Sequence, residues 1–226
     1  TDSGLSMVDW KPIMGIVPPL NNQDWLDSFD KYKNTPEFSN YHNHFTIDDY
    51  KSIFFWEYLH RMLGRFVGLL FLLPFLFFTS KKYLSNNEIK NLLFIFLLIC
   101  AQGLMGWIMV SSGLVGEGDV SPYKLALHFS LAIFIIGYIY WMKLKIQFKK
   151  KSNNLTKVNS LIKFIFIIFT LQIILGSISA GYTIGDTFIA NPIIMLMNRI
   201  FTELPYFILF LHILLGTIFT LAILFL

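Results

Sequence analysis

The sequence predicts an all-α polytopic membrane protein, and three observations lead to that fold class. Hydrophobic residues make up 55% of the 226 positions and charged residues only 14%, and 24 phenylalanines exceed the usage of a soluble core. The charges lie in blocks between long uncharged stretches. A bilayer core of about 30 Å requires roughly 20 apolar residues in a helix, and several runs of that length occur. A water-soluble globule is therefore excluded.

The chain contains about five such runs, which we take as transmembrane helices. They cover residues 53–79, 92–112, 122–142, 161–182 and 204–226. The second and fourth runs hold no ionisable group except Lys163 at one edge, whereas the first, third and fifth each carry one histidine. The first also contains Glu57, Arg61 and Arg65. The histidine-bearing helices are therefore chemically distinct from the other two.

The loops predict the orientation, because lysine and arginine collect on the cytoplasmic or matrix side of a membrane. Residues 143–160 form a lysine-rich inner loop, and the loop between the first two spans is also basic. Residues 1–52 are rich in aspartate and form an outer loop, long enough to fold partly as a lid over the membrane surface. The remaining segments, 53–142 and 161–226, hold the helices. The basic residues do not form an amphipathic face, so a nucleic-acid partner is not expected.

An internal repeat relates the helices to one another. Helices of a glutamine type alternate with helices of a histidine type. The pattern QxxxG occurs at Gln102–Gly106 (QGLMG) and Gln172–Gly176 (QIILG), and HxxxG at His60–Gly64 (HRMLG) and His212–Gly216 (HILLG). The tripeptide SGL also occurs twice, at 3–5 and 112–114. We therefore expect the chain to begin just after a glutamine-type helix, as a fragment of a longer protein. Chance similarity between leucine-rich segments is the alternative for each short string alone.

The three membrane histidines are candidate ligands of a haem iron. His60, His128 and His212 all lie on helices that enter from the outside, roughly 9 to 12 Å below the outer edge at about 1.5 Å per residue. Two imidazoles at equal depth can coordinate one haem iron as axial ligands, from opposite faces of the macrocycle. A hydrogen bond between helices is the plainer interpretation of any one intramembrane histidine.

The first span places further candidate groups around His60. Glu57 at i−3, with Gly64 and Gly68 at i+4 and i+8, would put an acid, a ligand and a smooth strip on one helix face. Arg61 and Arg65 could pair with haem propionates, with snorkelling to headgroups as the alternative.

On the next helix, Gln102 and its neighbouring glycines present an amide and a second small face. Close helix packing explains them equally well. Weaker candidates are His42 and His44, which we expect to be solvated, and the lone Cys100, which we expect to be a buried small side chain.

These residues together resemble the haem A synthase family, in its mitochondrial and alphaproteobacterial branch. The resemblance extends closely from Thr1 to about Leu131 and includes NTPEF, EYLHRMLGR, QGLMGWIMVSSGL and VSPYKLALH. It implies an eight-helix fold of two similar four-helix halves, of which helices at both ends, the first and the last among them, are missing here. It also implies oxidation of a methyl group of haem O to a formyl group, which gives haem A for terminal oxidases.

The resemblance implies roles for particular residues. His60 and His128 would be the ligand pair of the N-terminal half, where the substrate haem O binds, and Glu57 would be the catalytic acid. His212 would be one of two ligands of the enzyme's own haem b. The second half departs from the family pattern at Thr183, Ile189 and Ile213, and the fourth histidine is absent, so the haem b site is incomplete in this chain.

The resemblance also implies a setting in the bacterial cytoplasmic membrane or the mitochondrial inner membrane, with lipid around the helices. A haem O synthase and oxidase assembly factors are the expected partners, and a homo-oligomer is compatible with the sequence. Two rival functions stay open: a non-enzymatic cytochrome b that passes electrons, and a transporter or assembly factor whose histidines only hydrogen-bond. An inactive, degenerate fragment is a further alternative.

Overall fold

The computed structural model describes residues 5–9, 17–116, 118–147, 160–182 and 199–224, and its regular structure there is helical. The elements are α1 (Asn22–Lys33), a π-helix (Phe38–His42), α2 (Ile47–Ser80), α3 (Asn86–Val115), α4 (Pro122–Gln147), α5 (Ser160–Gly181) and α6 (Leu204–Leu224). Within the described residues, 5 helices, α2 to α6, are long and apolar enough to cross a membrane. This confirms the predicted fold class, and each predicted span lies on one of these helices.

Helix α2 begins at Ile47, well before the apolar run that predicted a span from residue 53. Thr46 caps its start, because the Thr46 Oγ1 accepts from the Asp49 N–H and the Asp49 carboxylate accepts from the Thr46 N–H at 2.8 Å. This capping box satisfies backbone donors that a helix start leaves unpaired. The first turns of α2 therefore precede the apolar run, and the start of the helix does not mark the start of the predicted span.

The chain divides into two units, Thr1–Ser121 and Pro122–Leu226. In the first unit the outer segment folds onto the start of α2. The rings of Phe29 and Tyr32 on α1 both stack on Tyr50 with centroids 5.1 Å apart, and Trp25 packs edge-on to Phe54 at 5.1 Å. Residues 17–46 thus form a packed layer, here called the outer cap after the side of the membrane that the sequence predicts for it.

The end of the first unit returns to the outer cap. Gly118 has φ +84, and a Cβ there would lie 2.5 Å from the backbone nitrogen of Glu37. A left-handed backbone conformation and this close approach both favour glycine. The next residue, Asp119, accepts a hydrogen bond from the Tyr41 hydroxyl at 2.5 Å.

In the second unit α5 packs against both α4 and α6. A Cβ on Gly181 would lie 2.6 Å from the Cα of Pro122, and the Tyr182 hydroxyl donates to that of Tyr123 at 3.1 Å. Most of the predicted inner loop 143–160 lies outside the described residues, as do Thr183 and Ile189.

Candidate functional site

Helix α2 carries the densest group of polar side chains on any candidate span. Glu57 is buried at 8% exposure, whereas His60, one turn further on, is exposed. The spacing of Glu57, His60, Arg61 and Gly64 places all four on one side of the helix. The structure therefore combines an acid, an imidazole and a glycine surface within a few turns, as the spacing predicts.

The Glu57 carboxylate is held by the start of the chain, which the sequence did not predict. Its Oε2 accepts hydrogen bonds from the Ser6 Oγ at 2.6 Å and from the Met7 backbone N–H at 2.9 Å. Its Oε1 forms an ion pair with Arg61, and Arg61 also donates to the Met7 carbonyl oxygen at 3.1 Å. Residues 5–9, here called the strap, thus close over the acid and its arginine.

The strap is fixed by packing as well as by hydrogen bonds. The Leu5 side chain, 1% exposed, lies so close to α3 that a Cβ on Gly113 would be 2.9 Å from its methyl carbons. The Tyr50 hydroxyl donates to the Ser6 carbonyl oxygen at 3.3 Å. Leu5 and Gly113 come from the two SGL tripeptides, so one residue from each copy takes part in this contact.

The glycines beyond His60 leave room on the helix surface. A Cβ added at Gly64 or Gly68 on α2, or at Gly103 on α3, would meet no atom within 4 Å. A flat macrocycle needs a surface of this kind, because any side chain there would hold it away from the helix backbone. The residues present on α2 and α3 therefore fit a haem.

The other predicted site residues of the first half have more local surroundings. The Arg65 Nη1 lies 3.5 Å from the Met62 sulfur on its own helix, and Gln102 is half-buried on α3. Arg61 shares its guanidinium between Glu57 and the strap. Contact of any of these side chains with propionates or a macrocycle stays a prediction.

His128 is half-buried on α4, in the second unit, whereas His60 belongs to the first. Their pairing on one iron stays a prediction.

The second histidine helix is arranged differently. The His212 ring on α6 lies over Gly176 on α5, where an added Cβ would be 2.6 Å from its Cε1 atom, and Gln172 lies over Gly216 at 2.9 Å. The His212 Nε2 is 3.4 Å from the Gln172 Nε2. The histidine of the HxxxG motif on α6 thus lies over the glycine of the QxxxG motif on α5, and the glutamine of the QxxxG motif lies over the glycine of the HxxxG motif.

This contact leaves two buried polar atoms without a partner among the described residues, the His212 Nδ1 and the Gln172 Oε1. A buried polar atom without a hydrogen bond is costly, so each is a position where a ligand or water would be favourable. An imidazole nitrogen of this kind fits an axial ligand of a haem iron.

Sequence reasoning missed Ser6, Met7 and Gln172 as partners of site residues, although the SGL and QxxxG repeats marked their segments.

The expectation that His42 is solvated was wrong. Its ring is 6% exposed, stacks on Phe45 at 4.1 Å, and lies 2.5 Å from the Tyr32 hydroxyl through Nδ1. Cys100, expected to be buried, is exposed on α3. His44 is exposed, as expected.

The helices and this site define a multi-pass helical membrane protein with a buried acid and histidine-bearing spans. Comparison with known sequences places it more closely. The chain belongs to the COX15-CtaA family, described as cytochrome oxidase assembly protein, whose profile matches residues 1–226. This confirms the resemblance seen in the sequence.

The curated relatives that the chain matches are named Heme A synthase. The Pelagibacter ubique protein is 44% identical over 181 residues, covering 80% of this chain and 54% of the relative. The Ehrlichia canis protein is 43% identical over 187 residues, covering 82% and 54%. The chain therefore spans about half the length of these relatives. No solved structure matches it.

Proposed function

We propose that the chain is part of a haem A synthase, an oxidoreductase that converts a methyl group of haem O to a formyl group, and that its first half binds the substrate. One observation carries the proposal. In a member of this family, a buried acid, an exposed imidazole and an open glycine strip follow one another on α2. The product, haem A, would supply terminal oxidases.

The substrate would be held by groups on the first three membrane helices. His60 and His128 would ligate the iron of haem O, and the Gly64 surface would receive the macrocycle, with Gln102 on the neighbouring helix. Arg61 and Arg65 would pair with the propionates, since guanidinium matches carboxylate geometry. Arg61 would do so while it also neutralises Glu57.

Glu57 is the proposed catalytic residue. Oxidation of a methyl group to a formyl group requires electrons to leave the carbon and an oxygen atom to arrive from water or dioxygen. A carboxylate beside the macrocycle could deprotonate water or stabilise positive charge that develops on the carbon. The contacts of Glu57 with the strap and Arg61 support the second role, because a carboxylate held by several donors is a fixed negative charge.

A resident haem b would be held in the second half, with His212 as one axial ligand. When bound, such a haem supplies a one-electron redox centre. Gln172 would set the orientation of the His212 ring, and its contact over Gly216 would keep α5 and α6 in register.

The membrane would be the bacterial cytoplasmic membrane or the mitochondrial inner membrane, with the outer cap on the outer side. Haem O would come from a haem O synthase in the same membrane, and haem A would pass to oxidase assembly factors. A homo-oligomer is compatible with this arrangement.

The test is the extracted haem content and absorption spectrum of the purified protein from a host that supplies haem O. The variants are Glu57→Gln, which keeps the side-chain shape, and His60→Ala. His44→Ala, an exposed histidine of the outer cap, is the matched control. We expect haem A in wild type and His44→Ala, haem O or a hydroxylated intermediate in Glu57→Gln, and loss of bound substrate haem in His60→Ala.

A non-enzymatic cytochrome b is the second candidate, and one observation favours it. The Glu57 carboxylate is already engaged by Ser6, Met7 and Arg61, as a purely structural acid would be. This function predicts that wild type and Glu57→Gln hold the same haem b and that haem A never forms. That outcome would overturn the synthase proposal.

A further inference from the structure

The strap places a hydroxyl group on the acid of the site, although the two residues are 51 positions apart in the sequence. Ser6 is 0% exposed, and its Oγ lies 2.6 Å from the Glu57 Oε2, which also accepts from the Met7 N–H at 2.9 Å. Arg61 binds the other oxygen, Oε1. Donors on both oxygens fix the plane of the carboxylate as well as its position.

The strap does not need the Ser6 hydroxyl to stay attached. Leu5 packs on Gly113, the Ser6 carbonyl accepts from Tyr50, and the Met7 carbonyl accepts from Arg61. These contacts would survive removal of the hydroxyl. What the hydroxyl adds is a short hydrogen bond to Glu57, so its effect is directed at the acid and not at the attachment of the strap.

We propose that Ser6 is a positioning residue for Glu57: its hydroxyl, together with the Met7 N–H, holds the carboxylate in the orientation that the oxidation of haem O requires. This inference rests on the proposed function of Glu57. The strap would then contribute to the site through its hydrogen bonds to Glu57. A carboxylate that has lost one donor can rotate toward Arg61, and its charge is then no longer directed at the substrate.

The experiment compares Ser6→Ala, Ser6→Thr, Glu57→Gln and the double variant Ser6→Ala with Glu57→Gln, each as purified protein from a host that supplies haem O. Rates of haem A formation and the fractions of haem O, hydroxylated intermediate and haem A are measured. The control is Ser112→Ala in α3, whose hydroxyl donates to the Met109 carbonyl of its own helix at 2.9 Å. The infrared carboxylate bands assigned by Glu57→Gln provide a readout that does not depend on activity.

We expect Ser6→Ala to slow haem A formation about tenfold to a hundredfold, the usual effect of removing a partner that orients a site residue. Ser6→Thr, which keeps the hydroxyl, should restore most of the rate. The Glu57 carboxylate band should shift in Ser6→Ala and return in Ser6→Thr. In the Glu57→Gln background, Ser6→Ala should leave the amount of bound haem O unchanged, because the group that Ser6 positions has been altered already.

Three results would overturn the positioning role: an unchanged rate in Ser6→Ala, equal loss of rate in Ser6→Ala and Ser112→Ala, or a double variant that binds less haem O than Glu57→Gln alone. Each would occur with Glu57→Gln still blocking conversion. If Glu57→Gln forms haem A like wild type, the proposed function of Glu57 fails first and the role of Ser6 fails with it. The two failures are therefore distinguished by the Glu57→Gln arm.

Discussion

The two HxxxG helices, α2 and α6, share a motif but have different surroundings. On α2 the positions around the histidine are Glu57, Arg61 and Arg65, whereas the equivalent positions on α6 are Leu209, Ile213 and Thr217. The glycine differs as well, since Gly64 faces open space and Gly216 lies under the Gln172 amide. The repeat therefore keeps the histidine and the glycine on both helices but has the charges on α2 only.

This difference indicates which half would carry out a reaction and which half would only bind a cofactor. An intramembrane charge is expensive unless it is paired, and function is the usual reason to keep one. The first half keeps an acid and compensates it with Arg61 and the strap, whereas the second half surrounds its histidine with apolar residues and an amide. A reacting site fits the first arrangement, and a resident cofactor that only exchanges electrons fits the second.

The largest effect on stability is expected from Arg61→Ala. It would leave the Glu57 carboxylate, whose side chain is 6% exposed, without its ion-pair partner. Breaking a buried pair from one side typically costs about 3–5 kcal/mol. Ile213→Ala, the equivalent position on α6, removes an exposed apolar side chain and should have a much smaller effect.

The measurement is thermal or denaturant unfolding of both variants in the same detergent. Similar losses in the two variants would show that the charge pair is not what distinguishes α2 from α6.

The two glycine surfaces give the next prediction, of intermediate size. Gly176→Ala would place a Cβ 2.6 Å from the His212 Cε1, so the ring or the helices must move, and overpacking of this kind costs about 1–3 kcal/mol. Gly64→Ala meets no atom within 4 Å, and removing a helical glycine can stabilise by about 1 kcal/mol. Gly64→Ala should nevertheless slow haem A formation, because the added methyl stands on the proposed macrocycle surface.

Unfolding in detergent, together with the extracted haem fractions, tests both variants. If Gly64→Ala loses as much stability as Gly176→Ala, then Gly64 is a packing position as Gly176 is, and the open strip on α2 is not a binding surface.

Much of the fold could be predicted from the sequence, because membrane spans are set by length and hydropathy within one segment. The start of α2 was missed for the same reason. Hydropathy marks apolar residues only, whereas the helix begins at the polar capping box of Thr46 and Asp49. The burial of His42 was also missed, since it depends on Tyr32 and Phe45 folding around it in the outer cap.

The site could be predicted only where its residues share one helix. Periodicity brings Glu57, His60 and Gly64 together, and that part needed no tertiary information. The contact of Ser6 with Glu57 spans 51 positions and that of Gln172 with His212 spans 40. Such contacts depend on how segments pack, which one helix period cannot reveal. The QxxxG repeat included Gln172 and the SGL repeat ends one residue before Ser6, but neither repeat predicted what these residues contact.

The smallest effect is expected at two exposed contacts, one in each unit, where a tyrosine hydroxyl joins two segments. In the first unit Tyr41 donates to the Asp119 carboxylate, and in the second Tyr182 donates to the Tyr123 hydroxyl. Both pairs are exposed, so Tyr41→Phe should cost about 1 kcal/mol, near the average of a single hydrogen bond. Tyr182→Phe should cost less, because its acceptor is neutral and hydrogen bonds to charged groups are the stronger ones.

Denaturant unfolding of the two phenylalanine variants in one detergent provides the comparison, with Tyr83→Phe as an exposed tyrosine control between α2 and α3. An equal or larger loss for Tyr182→Phe would reverse the ranking. The tyrosine contact would then contribute as much to the stability of the second unit as to that of the first. The charged contacts that distinguish the first unit would include the Glu57–Arg61 pair but not the contact at Asp119.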